Sequence, residues 1–182
     1  MRALLILDMV EQARTSQGRV SWNLDDLIES GRRLRPNFNP PRVVEIRQIT
    51  PTVRTKMMTV SANSRGTKLW QQVINFFKVD YVEEQDQQHP LSAQTKQGQT
   101  VFAAQLRVTE NPVTVRCNCP DFFFTWNYHD RNNPQGNALF GRIANYQRKT
   151  TTYPARNPIE VPGVCKHIIG VTERLRRDRI LL

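Results

Sequence analysis

The stretch Val113-Thr114-Val115-Arg116-Cys117-Asn118-Cys119-Pro120 decides how the second half of this chain is read. Valines at alternate positions running into Cys-x-Cys describe a strand. Strand side chains repeat every two residues, so Val113, Val115, Cys117 and Cys119 share one face and the two thiols point the same way. Pro120 ends the strand, because it has no N–H to give to a ladder. The third and last cysteine stands beyond residues 120–164, in Pro162-Gly163-Val164-Cys165-Lys166-His167. Ile168, Val171 and Leu175 then form the apolar stripe of a C-terminal helix. On a regular helix two residues spaced as Cys165 and His167 point roughly 200° apart. Cys165 is therefore expected just before the helix and His167 in its first turn.

Three thiols and one imidazole, delivered in two pairs, match the preference of zinc for four tetrahedral sulfur and nitrogen ligands. Cys117, Cys119, Cys165 and His167 are the expected ligands of a Zn2+ ion. A Cys₃His set fills all four positions and leaves none for water, so the metal is expected to be structural. Other uses of the cysteines stay open. A Cys117–Cys119 disulfide would need two parallel strand side chains to converge, and it would leave an odd thiol. All three could be small buried hydrophobes. Iron in place of zinc would need unusual histidine ligation. His129 is a spare imidazole and ranks below His167 as a ligand.

Outward from this pattern, the 182-residue chain fits one domain with an N-terminal extension, and its 38% apolar content allows only a modest core. A metal staple suits such a core. No run of about 20 apolar residues spans a membrane. The apolar start Ala3-Leu4-Leu5-Ile6-Leu7 stops at Asp8, too short for a secretory signal. Reduced thiols point to synthesis in a cytoplasm. The net charge of +10 admits nucleic acid or an acidic protein surface as partner. Arg131, Arg142, Arg148, Lys149 and Arg156 follow one another with no acid between them, whereas Asp80, Glu83, Glu84 and Asp86 make an acidic run. With Arg174 and Arg177 of the last helix, those basic residues are the expected nucleic-acid or partner contacts. Arg176 and Arg179 lie on the same outer side.

The predicted class is α+β: a small antiparallel sheet domain with a zinc knuckle and a C-terminal helix, preceded by an N-terminal helical arm. Residues 1–41 are the arm and linker, and residues 42–182 the β-rich domain. In the arm, residues 3–14 read as one helix. Asn23 caps a second, Leu24 to Ser30, which Gly31 closes. Asp25 and Asp26 suit its first turn. Pro36 to Pro41 interrupt regular structure. Val43–Ile46, Val53–Val60, Leu69–Val79, Val101–Val108 and Val113–Cys119 read as strands, with a hairpin turn at Asn63-Ser64-Arg65-Gly66. Residues 83–99 are expected to be a polar loop in which His89 is exposed and idle. Asp121 is a candidate cap for a short aromatic helix holding Phe122, Phe123, Phe124, Trp126 and Tyr128, whose rings are expected to pack around the metal. Residues 130–163 form a long insertion between the two ligand pairs, of the kind that a partner orders.

Cys-x-Cys, a spacer, then Cys-x-His and an amphipathic helix resembles the SWIM-type zinc finger over residues 113–179, with a longer spacer than is usual. The wording Cys117-Asn118-Cys119-Pro120-Asp121-Phe122, Tyr153-Pro154, Arg156-Asn157-Pro158 and Pro162-Gly163-Val164-Cys165-Lys166-His167 is similar to a SWIM-like variant encoded by tailed bacteriophages. The resemblance implies a structural protein of the virion, in the tail or baseplate region, made in the host cytoplasm. It also implies other virion proteins as partners in a symmetric assembly. A nucleic-acid-binding SWIM module is the alternative. No paired carboxylates and no nucleophile–base motif point to an enzyme or a small-molecule substrate.

Overall fold

The computed structural model describes residues 22–37, 39–40, 43–65, 68–142 and 155–182. The helix read at 3–14, Arg148 and Lys149 lie outside the described residues. The fold is α+β. Among the described residues, helix α1 (Leu24–Leu34) comes first. Seven strands follow: β1 (Val43–Thr52), β2 (Met57–Arg65), β3 (Leu69–Phe77), β4 (Tyr81–Val82), β5 (Leu91–Gln94), β6 (Thr100–Ala103) and β7 (Val113–Cys117). A π-helical turn (Phe122–Trp126) runs into α2 (Asn127–Asn132), and α3 (Lys166–Arg177) is the C-terminal helix.

Two antiparallel sheets result, ordered β1-β2-β3-β7 and β4-β6-β5. Alternation sets the faces. Met58, Val60 and Ala62 of β2, Ile74 and Phe76 of β3, and Val113 and Val115 of β7 are all buried in one core. Helix α3 packs across this sheet with Ile168, Val171 and Leu175 inward. Pro51 is tolerated within β1 because that strand lies at the sheet edge. The other edge, β7, is covered: Val113 donates to Trp22 O at 2.8 Å, Val115 donates to Ala138 O at 2.8 Å, and Phe140 returns a bond to Val115 O at 3.0 Å.

Several elements depart from the sequence expectation. Asn23 does cap α1, accepting from Asp26 N at 2.8 Å. The helix, however, runs through Gly31 to Leu34. Gly31 serves close packing there, and the chain end of the helix is capped by Arg35 N bonding Gly31 O at 3.0 Å. Leu24 and Leu27 are fully buried in the same core as the sheet. Arg176 of α3 reaches Asp25 of α1 at 2.6 Å. Val53–Thr55 is a single 3₁₀ turn, with Lys56 in the left-handed region at φ 47°, so β2 starts at Met57. Asn63, Ser64 and Arg65 extend that strand; the hairpin register closes at Arg65 opposite Leu69. The strand expected over Val101–Val108 stops at Ala103. Leu106 instead bridges in parallel to Leu181 beyond α3.

The polar stretch 83–99 contains β5 and a turn closed by Thr95 N on Gln99 O at 2.9 Å. His89 is neither exposed nor idle. It is 6% exposed, and its ring nitrogens lie 2.7 Å from Asp86 Oδ1 and 3.3 Å from Asp80 Oδ2. A local carboxylate pair drew it in, which a reading based on hydropathy alone misses. Asp121 does not cap the aromatic turn with its side chain. The aromatic residues divide: Phe122 and Trp126 are buried, whereas Phe124 and Tyr128 are exposed.

Candidate metal centre

Strand β7 and helix α3 bring the two cysteine-containing segments together. Cys117 ends β7 opposite Gln72 of β3. Asn118 locks the following turn onto β3: its N–H donates to Gln71 O at 3.1 Å, and its Oδ1 accepts from Gln71 N at 2.8 Å. The chain then turns abruptly. Cys119 O accepts from Phe123 N at 3.1 Å, and Cys119 Sγ accepts from Phe122 N at 3.3 Å. The thiol thus occupies the capping place expected for Asp121, three residues before the N–H it receives. Pro120 suits the first helical position for the same reason that it ends a strand, since it lacks an N–H.

Cys165 is the N-cap of α3, and its carbonyl accepts from Ile168 N and Ile169 N at 3.1 and 3.3 Å. His167 lies in the first turn, as its spacing requires, with Nδ1 3.8 Å from Cys165 Sγ. The ligand atoms of Cys117, Cys119, Cys165 and His167 all lie within 4.8 Å of one another, and all four residues are buried. Sulfur and nitrogen bonded to zinc at about 2.0–2.3 Å stand about 3.5–4 Å apart at tetrahedral corners. The cluster fits a metal ion of this kind. Zinc, bound there, would hold two distant segments together as a Lewis-acid cross-link.

Electrostatics point the same way. Without a cation, hydrogen bonds from Cys117 and Cys165 draw the Cys119 thiol far below its ordinary range. Cys117 is correspondingly pushed up to about 12, chiefly by its bond to Cys119. Burial raises Cys165 well above its usual value. Zinc takes thiolates and not thiols as ligands, so metal binding at these cysteines releases protons.

The surroundings support the sulfurs. Gln72, 1% exposed, accepts from Ser64 Oγ at 2.9 Å, donates to Trp70 O at 2.8 Å, and places Nε2 3.7 Å from Cys117 Sγ. The Trp70 ring stands 6.0 Å from that of His167. Such outer partners orient ligands and tune them. Gln72 carries no sequence signal of this role, because it depends on strand pairing. His129 lies on α2 against Tyr128 and is not in the cluster.

The basic residues scatter. Arg131 is half-buried, and Arg142 and Arg156 are exposed. Arg142 O accepts from Arg116 Nη1 at 2.9 Å, and the Arg156 guanidinium stands 5.2 Å from the Phe124 ring centre. Arg174 pairs with Asp178 at 2.7 Å, and Arg177 is exposed on α3. No helix among the described residues is long and apolar enough to cross a membrane. Comparison of the chain with protein-family models, with curated proteins and with solved structures finds no match.

Proposed function

We propose that this protein is a non-enzymatic structural component stapled by one zinc ion on Cys117, Cys119, Cys165 and His167. The single observation that carries this reading is the set of four buried ligand atoms within 4.8 Å of one another. Four protein ligands complete the coordination of zinc, so the ion has a structural task and no open position for a substrate. The ligands come from a strand end and a helix start, so the ion joins sheet and helix. The resemblance of the knuckle to SWIM-like phage proteins makes a virion the setting we propose, with the tail or baseplate as its place and other virion proteins as partners. Synthesis in the host cytoplasm would keep the thiols reduced for metal loading.

Elemental analysis of the purified chain tests the metal. One equivalent of zinc is expected, and its removal by a strong chelator is expected to unfold the C-terminal half. A metal-free chain that keeps its fold would overturn the reading. Co-purification with intact particles tests the setting; a chain found only in the soluble host fraction would count against a virion.

A further inference from the structure

A cleft of about 330 Å³ is walled by Tyr128, His129 and Asn132 of α2, by Asn133 and Pro134 after it, and by Glu160. Its size lies in the lower part of the usual range for ligand pockets, about 300–1,000 Å³. None of the four metal ligands lines it.

Two of its walls form a corner. The Tyr128 and His129 rings stand 5.4 Å apart, edge to face at 83°. Tyr128 is 61% exposed, so its ring is open to a ligand. The face of an aromatic ring attracts a cation, and rings set at an angle beside an acid are a cation's surroundings. Burial holds the His129 imidazole below its ordinary 6.5, against the pull of Glu160. Near pH 7 that ring is neutral and does not repel positive charge. The charged wall is Glu160. It is exposed and makes no ion pair among the described residues. No lysine or arginine lines the cleft, although the chain as a whole carries a net charge of +10.

The walls are tied to one another. Glu160 N donates to Asn157 O at 3.3 Å, and Glu160 sits in the left-handed region at φ 53°. A non-glycine residue stays there only when its surroundings hold it. Asn157 is 3% exposed and donates through Nδ2 to Val161 O at 2.7 Å and to Thr125 O at 3.4 Å. Thr125 lies just ahead of α2, which carries both rings. Carboxylate and ring corner are therefore placed before a ligand arrives, which lowers the ordering cost of binding.

Among the described residues no third histidine, cysteine or carboxylate joins His129 and Glu160 in a metal-binding group. The chemistry suits an organic cation. A guanidinium is planar, so it lays a face on a ring while its edge gives a fork of N–H groups to a carboxylate. We propose that this cleft binds the guanidinium head of an arginine side chain presented by another polypeptide, with its plane on Tyr128 and its N–H groups on Glu160. The inference stands on this cleft alone and holds whether or not the cysteines carry zinc.

The test is an NMR chemical-shift titration of the purified full chain at constant ionic strength. The probes are acetyl-Gly-Arg-Gly-amide, its lysine and citrulline counterparts, and free guanidinium ion. Saturable shifts are expected at Tyr128, His129 and Glu160. The arginine peptide should bind more tightly than the lysine peptide, and about 10-fold or more above the citrulline peptide, which keeps the shape without the charge. Glu160→Gln, at an exposed position, should weaken arginine-peptide binding about 10-fold or more. Tyr128→Ala should weaken it about 5- to 30-fold, whereas Tyr128→Phe keeps the ring and should retain it. Neither side chain is part of the core, so the thermal midpoints of the variants should match the parent. Equal binding of the citrulline peptide, unchanged binding in Glu160→Gln, or shifts centred away from these three residues would overturn the proposal. Free guanidinium binding as tightly as the peptide would remove the arginine side chain as its source, and no saturable shift with any probe would overturn it equally.

Discussion

Gly31 of helix α1 lies directly on the backbone carbonyl of Val164: a Cβ at Gly31 would stand 2.5 Å from Val164 O. Val164 is the residue before Cys165. From the other side Gly163 lies on the Trp126 ring, where a Cβ would come within 2.5 Å of Cζ3. The segment that delivers the third thiol is thus held between a helix from the N-terminal region and a buried indole. Neither neighbour can retreat cheaply, since one contact is backbone and the other ring is fully buried.

Gly31→Ala is therefore expected to destabilise the protein by about 1–3 kcal/mol, the usual range for overpacking. The same change should weaken zinc binding, because Cys165 moves with Val164. In an ordinary exposed helix interior, alanine in place of glycine would stabilise by about 1 kcal/mol. A urea midpoint raised in the variant would refute the contact.

Cys117→Ser and His167→Ala are expected to abolish stoichiometric zinc and to unfold the sheet–helix junction. Structural zinc in small domains contributes on the order of 10 kcal/mol of folding free energy. Zinc content, measured beside far-ultraviolet circular dichroism, checks this. His129→Ala should change neither, because His129 lies outside the cluster.

Asp130 is fully buried, with Oδ1 accepting from Gly163 N at 2.9 Å. Burial raises its pKa well above the ordinary 3.8. The folded state then holds the proton more tightly than the unfolded one. Its contribution is complete below pH 3.8 and declines as pH rises toward the folded value. Asp130→Asn keeps an acceptor and a neutral side chain. It should match the parent at low pH and exceed it in stability near pH 7. Asp130→Ala should cost about 1–3 kcal/mol by leaving the Gly163 N–H unpaired. Denaturant melts of the three proteins at pH 4 and pH 7 read both effects.

The hydrogen bond from Asp86 raises His89 above its ordinary 6.5, and the same bond lowers Asp86 below 3.8. For the histidine, the stabilising contact is fully present below pH 6.5 and fades as pH rises through the folded value. For the aspartate, it is present above pH 3.8 and fades as pH falls through the folded value. Amide protection around His89 should therefore peak between these limits and drop on either side. Hydrogen exchange measured across pH 3 to 9 would show the peak, and Asp86→Asn should remove its acid limb, because Asp86 no longer titrates. A His89 ring titrating below 6.5 by NMR would contradict the arrangement.

What the sequence determined by itself was local and periodic. Two-residue repetition placed Cys117 at the end of one buried strand, which stops there and leaves Cys119 in the turn beyond it, and helical spacing placed Cys165 before α3 with His167 in its first turn. Those four residues needed no partner to be singled out, because ligand chemistry restricts them to few types at few spacings. Tertiary structure alone decided the rest. Gly31 reads as a helix stop until Val164 is packed against it, since glycine serves both roles. His89 reads as idle until two acids close on its ring. Contacts between residues far apart in the chain leave no period in the sequence, so only the packed molecule reveals them.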